Sequence, residues 1–325
     1  MSDLLLEENL NKARSLLAKG KEPEASDLLN SILKKFPQNK KVQHVLQHLQ
    51  KSSIKQSYPT QEQINTLLKY YKNGQLSEAK NLALSLTQDF PRHPFGWKVL
   101  GVILGDTGKK NEAISAHQKA IQIAPQDTGN YNNLGNTLMG LGRFEEAELS
   151  FKQSIKLNPK SSIAHNNLGT LLKETERLDE AKGSFEEAIK LNPEFAEAHN
   201  NLGLTLVDLH KYEDAEASYN QAIRLNPNFA EAYNNLGIAL KDTGKLDKAF
   251  EAYNKALLVK PGHEIARALK LDYSAQICDW ESIEEDRDLL PLLGTTKQSI
   301  PPFSLLALED SPERHHTRSK VYTKA

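Results

Sequence analysis

At 325 residues, with 38% apolar and 26% charged side chains, the chain is long enough for roughly two domains and too apolar to be disordered. Its 41 Lys and Arg against 42 Asp and Glu leave a formal charge of −1, which argues against the basic surface that nucleic-acid binding requires. No stretch approaches the ~18 consecutive apolar residues of a membrane span, and the opening MSDLLLEENLNKARS lacks a signal-peptide pattern, so a cytoplasmic protein is expected. A single cysteine, Cys278, can form neither an internal disulfide nor a thiolate metal site, and no metal or cofactor is expected.

A period of 34 organises the sequence. Pro91, Pro125, Pro159, Pro193, Pro227 and Pro261 are each 34 residues apart, and Pro37 lies 54 before Pro91, one period plus a 20-residue insertion. With Pro at repeat position 32 there are seven units: 6 to 39, 60 to 93, 94 to 127, 128 to 161, 162 to 195, 196 to 229 and 230 to 263. Position 20 is Ala in all seven, position 8 is Gly in the last five, and position 15 is Gly except at Glu176 and His210.

In chain order, residues 1 to 59 read as a degenerate repeat and capping segment. The unit 6 to 39 has Ala13 at the position where later units carry Gly, and 40 to 59 holds a helix, KKVQHVLQHLQK, before a polar linker. Residues 60 to 263 carry six repeats, the first of them weak, with Thr66 and Leu67 where Leu and Gly are expected. Each unit reads as two antiparallel amphipathic helices. In 128 to 161, Tyr131, Leu134, Leu138 and Leu141 recur at helical spacing, a Gly142 turn follows, and Ala147, Phe151 and Ile155 form a second stripe ended by Asn158-Pro159. Such a hairpin cannot bury its faces alone, so the units must stack into an all-α superhelix, an α-α solenoid. Residues 264 to 325 continue as a half-repeat through Ile265, Leu269, Leu271 and Ile277. They then turn acidic at Glu284, Glu285, Asp286 and Asp288, read as an exposed turn, and end in a helix starting at Asp310-Ser311-Pro312 around which nothing closes a core.

Large residues at repeat positions 4, 7, 11 and 24, with Gly at position 8, Ala at position 20 and Pro at position 32, make the sequence resemble a tetratricopeptide repeat array. Its C-terminal stretch is similar to a narrower group: AQICDW at 275 to 280 after a final half-repeat, then IPPFSLLALED, resembles the junction where O-linked N-acetylglucosamine transferases of the SPINDLY type pass from repeats into their catalytic domain. Animal members carry a His pair where this chain has Pro302 and Phe303. The sugar-nucleotide lobes that follow in that family have no counterpart here, so the resemblance implies a protein-binding array with the truncated start of a catalytic-type element. Sulfotransferase and methyltransferase continuations also follow similar repeats.

Candidate chemistry is sparse. A phosphate loop before Gly108-Lys109 fails because Ile103 and Lys110 occupy its Gly and Ser/Thr positions. His165 and His199 fall at packing position 4, and the neighbours His315 and His316 point apart on a helix. The informative polar set is Asn. Position 6 is Asn133, Asn167, Asn201 and Asn235, preceded at position 5 by Asn132, Asn166, Asn200 and Asn234, with Glu197 and Glu231 at position 2. In the family, positions 2, 5, 6, 9 and 13 face the concave groove, and the transferases line it with an Asn ladder that grips peptide backbone. The resemblance therefore implies peptide binding by Asn133, Asn167, Asn201, Asn235, Glu197 and Glu231; local backbone satisfaction is the competing reading of the Asn set. A clamp for acidic chain termini needs Lys or Arg at 2, 5 and 6, and only Lys98 qualifies. The expected partners are extended protein segments, not nucleic acid or membrane, with a stand-alone adaptor or assembly scaffold as the alternative and the oligomeric state open.

Overall fold

The computed structural model describes residues 2–18, 21–37, 39–46, 58–294, 308 and 312–322, and its contacts resolve into two compact units, 1–137 and 138–325. Among the described residues every regular element is helical, and none is long and apolar enough to cross a membrane. The first unit contains the pairs Ser2–Ala18 with Glu22–Lys35, Gln61–Lys72 with Leu76–Asp89, and Pro94–Asp106 with Lys110–Ile123, plus a helical stretch at 40–46. Helix Thr128–Met139 begins in this unit and ends in the second. The second continues with Phe144–Leu157, then Ser162–Glu174 with Leu178–Leu191, Ala196–Asp208 with Tyr212–Leu225, and Ala230–Asp242 with Leu246–Val259. It ends with Glu264–Gln276, Trp280–Glu285, a 3-10 turn at Arg287–Leu292 and Pro312–Tyr322.

Three repeat positions explain why each hairpin closes. Position 20 sits where the paired helices meet: Ala25, Ala79, Ala113, Ala147, Ala181 and Ala215 are wholly buried, and a larger side chain would separate helices that pack at about 8–10 Å. Position 8 lies against position 24. A Cβ placed on Gly169 would come within 2.8 Å of the Phe185 ring, on Gly203 within 2.6 Å of Tyr219, and on Gly237 within 2.4 Å of Tyr253. The weak repeat at 60 to 93 obeys the same volume rule in reverse. Leu67 at position 8 shares one cluster with Ala83 at position 24, and both are fully buried.

Position 15 turns the chain between helices. Gly74, Gly108, Gly142 and Gly244 all have φ between 71° and 79°, the left-handed region where a Cβ is penalised. Glu176 at φ 59° and His210 at φ 57° adopt it too, so the departures from Gly left the backbone unchanged. The reason is the closing hydrogen bond of the motif: the N–H of position 16 reaches back to the carbonyl of position 11, at 2.9 Å from Arg177 to Leu172 and 2.8 Å from Lys211 to Leu206. Cys278, at φ 58° with Asp279 N donating to Ser274 O at 2.8 Å, repeats the turn. The half-repeat thus runs through position 15, a continuation hidden in the sequence by the absence of Gly.

Two expectations for the C-terminal stretch are corrected. Asp286 is not part of an exposed turn: it is 6% exposed and paired with Arg267 and, at 3.3 Å, with Lys270, itself buried. Those cations lie on helix Glu264–Gln276, and an acid so paired avoids the cost of an isolated buried charge. Helix Pro312–Tyr322 also does not stand alone. Arg318 is fully buried and donates to Leu290 O and Leu293 O, each at 2.7 Å, pinning that helix to the 3-10 turn. Ala268, Leu271, Ile283, Leu290 and Leu293 form a small core there, with Leu308 packed against it. Most of IPPFSLLALED lies outside the described residues.

Candidate peptide-binding face

The first helix of each repeat carries the candidate residues. Helical spacing puts positions 2, 5, 6, 9 and 13 on one stripe, away from the buried glycine of position 8 and the apolar positions 7 and 11. In the second unit the Asn pairs form a chain from repeat to repeat: Asn201 Nδ2 donates to Asn166 Oδ1 at 3.2 Å, and Asn235 Nδ2 donates to Asn200 Oδ1 at 3.1 Å. Position 5 is buried and position 6 half-buried at these sites. At its C-terminal end the chain stops where the sequence stops supplying it. Position 6 of the half-repeat is Leu269, and Asn234 Oδ1 is buried without a hydrogen-bond partner.

Asn201 and Asn235 therefore spend one amide hydrogen on the neighbouring repeat and keep a second hydrogen, along with a carbonyl oxygen reached only by a long 3.5 Å contact from the preceding Asn. Asn167 and Asn133, both half-buried, make no side-chain hydrogen bond among the described residues. Thr137 and Thr205 Oγ1 donate to the main-chain oxygens of Asn133 and Asn201, at 3.0 and 2.9 Å. Glu197 is exposed; Glu231 is exposed and bonded to Lys260 at 2.8 Å, a bond that holds its carboxyl below the usual range. At position 13, Asp208 pairs with Lys173 at 2.9 Å, while Glu174 and Asp242 stand exposed on the same stripe.

His165 and His199 do structural work, and the structure shows which. Their Nε2 atoms lie 3.1 Å from Pro159 O and Pro193 O, the position-32 carbonyls of the preceding repeats. Trp97 Nε1 donates to Pro91 O at 3.1 Å, Tyr131 OH to Pro125 O at 3.2 Å, and Arg267 to Pro261 O. In these five units position 4 carries a side chain long enough to place a donor on the carbonyl that Pro leaves at the end of the previous hairpin.

One residue escaped the sequence reading. His117 occupies position 24, where the four following repeats have Phe or Tyr, and it is 1% exposed with Nδ1 lacking a hydrogen-bond partner. Burial and the nearby Lys98 push its pKa down to about 4, so the ring is neutral near pH 7. The signal was available: it is the only His in the position-24 column, next to Ala83, Phe151, Phe185, Tyr219 and Tyr253.

Profiles described as tetratricopeptide repeat match residues 98–127, 131–161, 150–183 and 201–264, and one described as TPR repeat matches 171–210. The chain is an all-α tetratricopeptide repeat solenoid. Among solved structures it is similar to the protein in "Crystal structure of APC/C hetero-tetramer Cut9-Hcn1", at 20% identity over 82% of this chain and 55% of that one, with a TM-score of 0.57. PilF of Pseudomonas aeruginosa aligns at 20% identity over 66% of this chain and 96% of its own, with a TM-score of 0.55. MamA aligns at 28% identity over 50% of this chain and 95% of its own, with a TM-score of 0.45. No curated protein matches the chain in sequence.

Proposed function

We propose that this chain binds extended segments of other proteins along the first-helix stripe, with Asn167, Asn201 and Asn235 of the second unit meeting the backbone of the bound strand, Glu197 and Glu231 at its edge, and Asn133 offering the same amide on the first unit. The observation that carries this reading is the recurring position-6 amide, half-buried and with donor and acceptor capacity left over in every copy. First helices stacked about 10 Å apart and a strand rising about 3.3 Å per residue bring one Asn to roughly every third peptide group. With ~1 kcal/mol net per hydrogen bond, less the cost of ordering the strand, binding is micromolar at best and tolerant of sequence.

Residues 60 to 263 are the binding array in this reading, 1 to 59 its N-terminal cap, and 264 to 325 the beginning of a catalytic-type element. The resemblance of AQICDW and IPPFSLLALED to the transferase junction supports assigning the array to substrate capture for protein O-linked N-acetylglucosamine transfer. The small helical core built by Ala268, Leu271, Ile283 and Leu290 favours the second reading, an adaptor whose C-terminal stretch is a cap.

The test uses a panel of unstructured peptides. Asn133→Ala with Asn167→Ala removes two amides that make no side-chain hydrogen bond among the described residues, so the melt should hold while affinity falls about fivefold or more across the panel. Unchanged binding overturns the groove reading. Captured cellular partners carrying N-acetylhexosamine on Ser or Thr favour the transferase reading, and their absence favours the adaptor. The chain alone should give no heat with UDP-N-acetylglucosamine, since no described segment alternates strands with helices.

A further inference from the structure

The repeat 94 to 127 differs from its neighbours at two positions at once, and the differences fall in one place. Position 12 is Leu17, Tyr71, Met139, Lys173, Val207 and Lys241 in the other units but Gly105 here. Position 24 is His117. Between them lies an open cleft of about 250 Å³ lined by Val102, Gly105, Asp106, Lys110, His117, Asn133, Asn136 and Thr137, all within the first unit. A Cβ on Gly105 would meet only Thr137 Oγ1, at 3.9 Å, so the cleft exists because position 12 has no side chain.

We propose that this cleft is a side-chain pocket of the peptide-binding face and that it takes a neutral carboxamide, the end of a Gln or Asn of the bound segment. The proposal deepens the groove reading and rests on it for biological meaning. The volume lies below the ~300–1,000 Å³ of small-molecule sites and suits one side chain. Its wall mixes donors and acceptors. The Asn133 and Asn136 amides each offer both, while Asp106 accepts at Oδ2 from Tyr71 OH at 2.7 Å and keeps Oδ1 for another donor. Asp106 and Lys110 are opposite in sign, so the lining carries no net charge that would favour a cationic or an anionic side chain over a neutral one. Val102 and the Gly105 Cα supply an apolar side for the methylenes. At the buried end His117, neutral near pH 7, is a polar ring where every following repeat has an aromatic hydrocarbon ring or phenol.

The experiment titrates the full chain, labelled in Asn side-chain amides and His rings, with N-acetylglutamine methylamide, and with the Leu, Glu and Lys analogues as controls. A single capped residue reads the pocket without requiring a strand on the Asn ladder, so its failure is distinct from failure of the groove. The Gln probe should give saturating shifts of His117 and Asn136 at millimolar concentration, with the other three at least about tenfold weaker. Gly105→Met fills the cleft with the side chain found at Met139. It should melt no lower than the wild type, since Gly is the poorest helix former short of Pro, and should abolish the shifts. His117→Phe should weaken them while leaving the helices intact. No shift with the Gln probe up to about 50 mM, equal shifts with the charged or leucyl probes, or shifts that survive Gly105→Met each overturn the proposal.

Discussion

The repeats at 94 to 127 and 196 to 229 share a frame and differ in what they put inside it. In both, Gly at position 8 faces a buried ring at position 24, Ala at position 20 is fully buried, and position 15 turns through positive φ. In 196 to 229 the ring is Tyr219, position 12 is Val207, and positions 5 and 6 are the Asn pair that links one repeat to the next. In 94 to 127 the ring is His117, position 12 is Gly105, and positions 5 and 6 are Lys98 and Val99, with Lys98 paired to Asp127 at 2.9 Å. Positions that touch both helices of a hairpin are fixed by volume. Positions that look outward are free to make a pocket, an amide chain or an ion pair.

The largest expected effect breaks the shared frame. Gly203→Val drives a branched side chain into the Tyr219 ring and should cost about 3 kcal/mol in a denaturant titration. A variant as stable as the wild type would show that the 8-to-24 contact does not set the hairpin spacing.

The difference at position 24 comes next. His117 has its folded pKa lowered to about 4 from 6.5. Above pH 6.5 both states are neutral and stability is full; as pH falls toward 4 the unfolded chain takes up a proton that the folded chain refuses, so stability is lost by up to about 3 kcal/mol. His117→Phe should remove this acid-sensitive component and, by relieving a buried unsatisfied nitrogen, raise stability at neutral pH by about 1–2 kcal/mol. Equal losses in both proteins between about pH 7 and 4.5 would assign the sensitivity to other groups.

The amide chain is a finer distinction. Asn201→Ala leaves Asn166 Oδ1 without its donor and should cost about 1 kcal/mol, whereas Asn167→Ala should cost almost nothing. Comparable melts for the two variants would mean that the 3.2 Å contact has no energetic weight. The turn is of the same size. Glu176→Gly and His210→Gly relieve a Cβ at positive φ and should each stabilise by about 1 kcal/mol, while Gly244→Ala should destabilise by a similar amount.

Much of this protein was legible in one dimension. The spacing of Pro and Ala defined the repeat and its hairpins because a 34-residue unit that packs only on its neighbours must present the same few contact residues each time. The Asn column was legible for the same reason. Other features were decided in three dimensions. Leu67 and Ala83 look like two defects until their burial in one cluster shows that they exchange volume, because packing conserves the sum and not the order. Asp286 reads as one acid in an exposed run, and only the fold brings Arg267 and Lys270, 19 and 16 residues away, onto it. Arg318 carries no sequence signal at all: its partners are main-chain carbonyls, which every residue has, and which of them lie within reach depends on how the last helix docks.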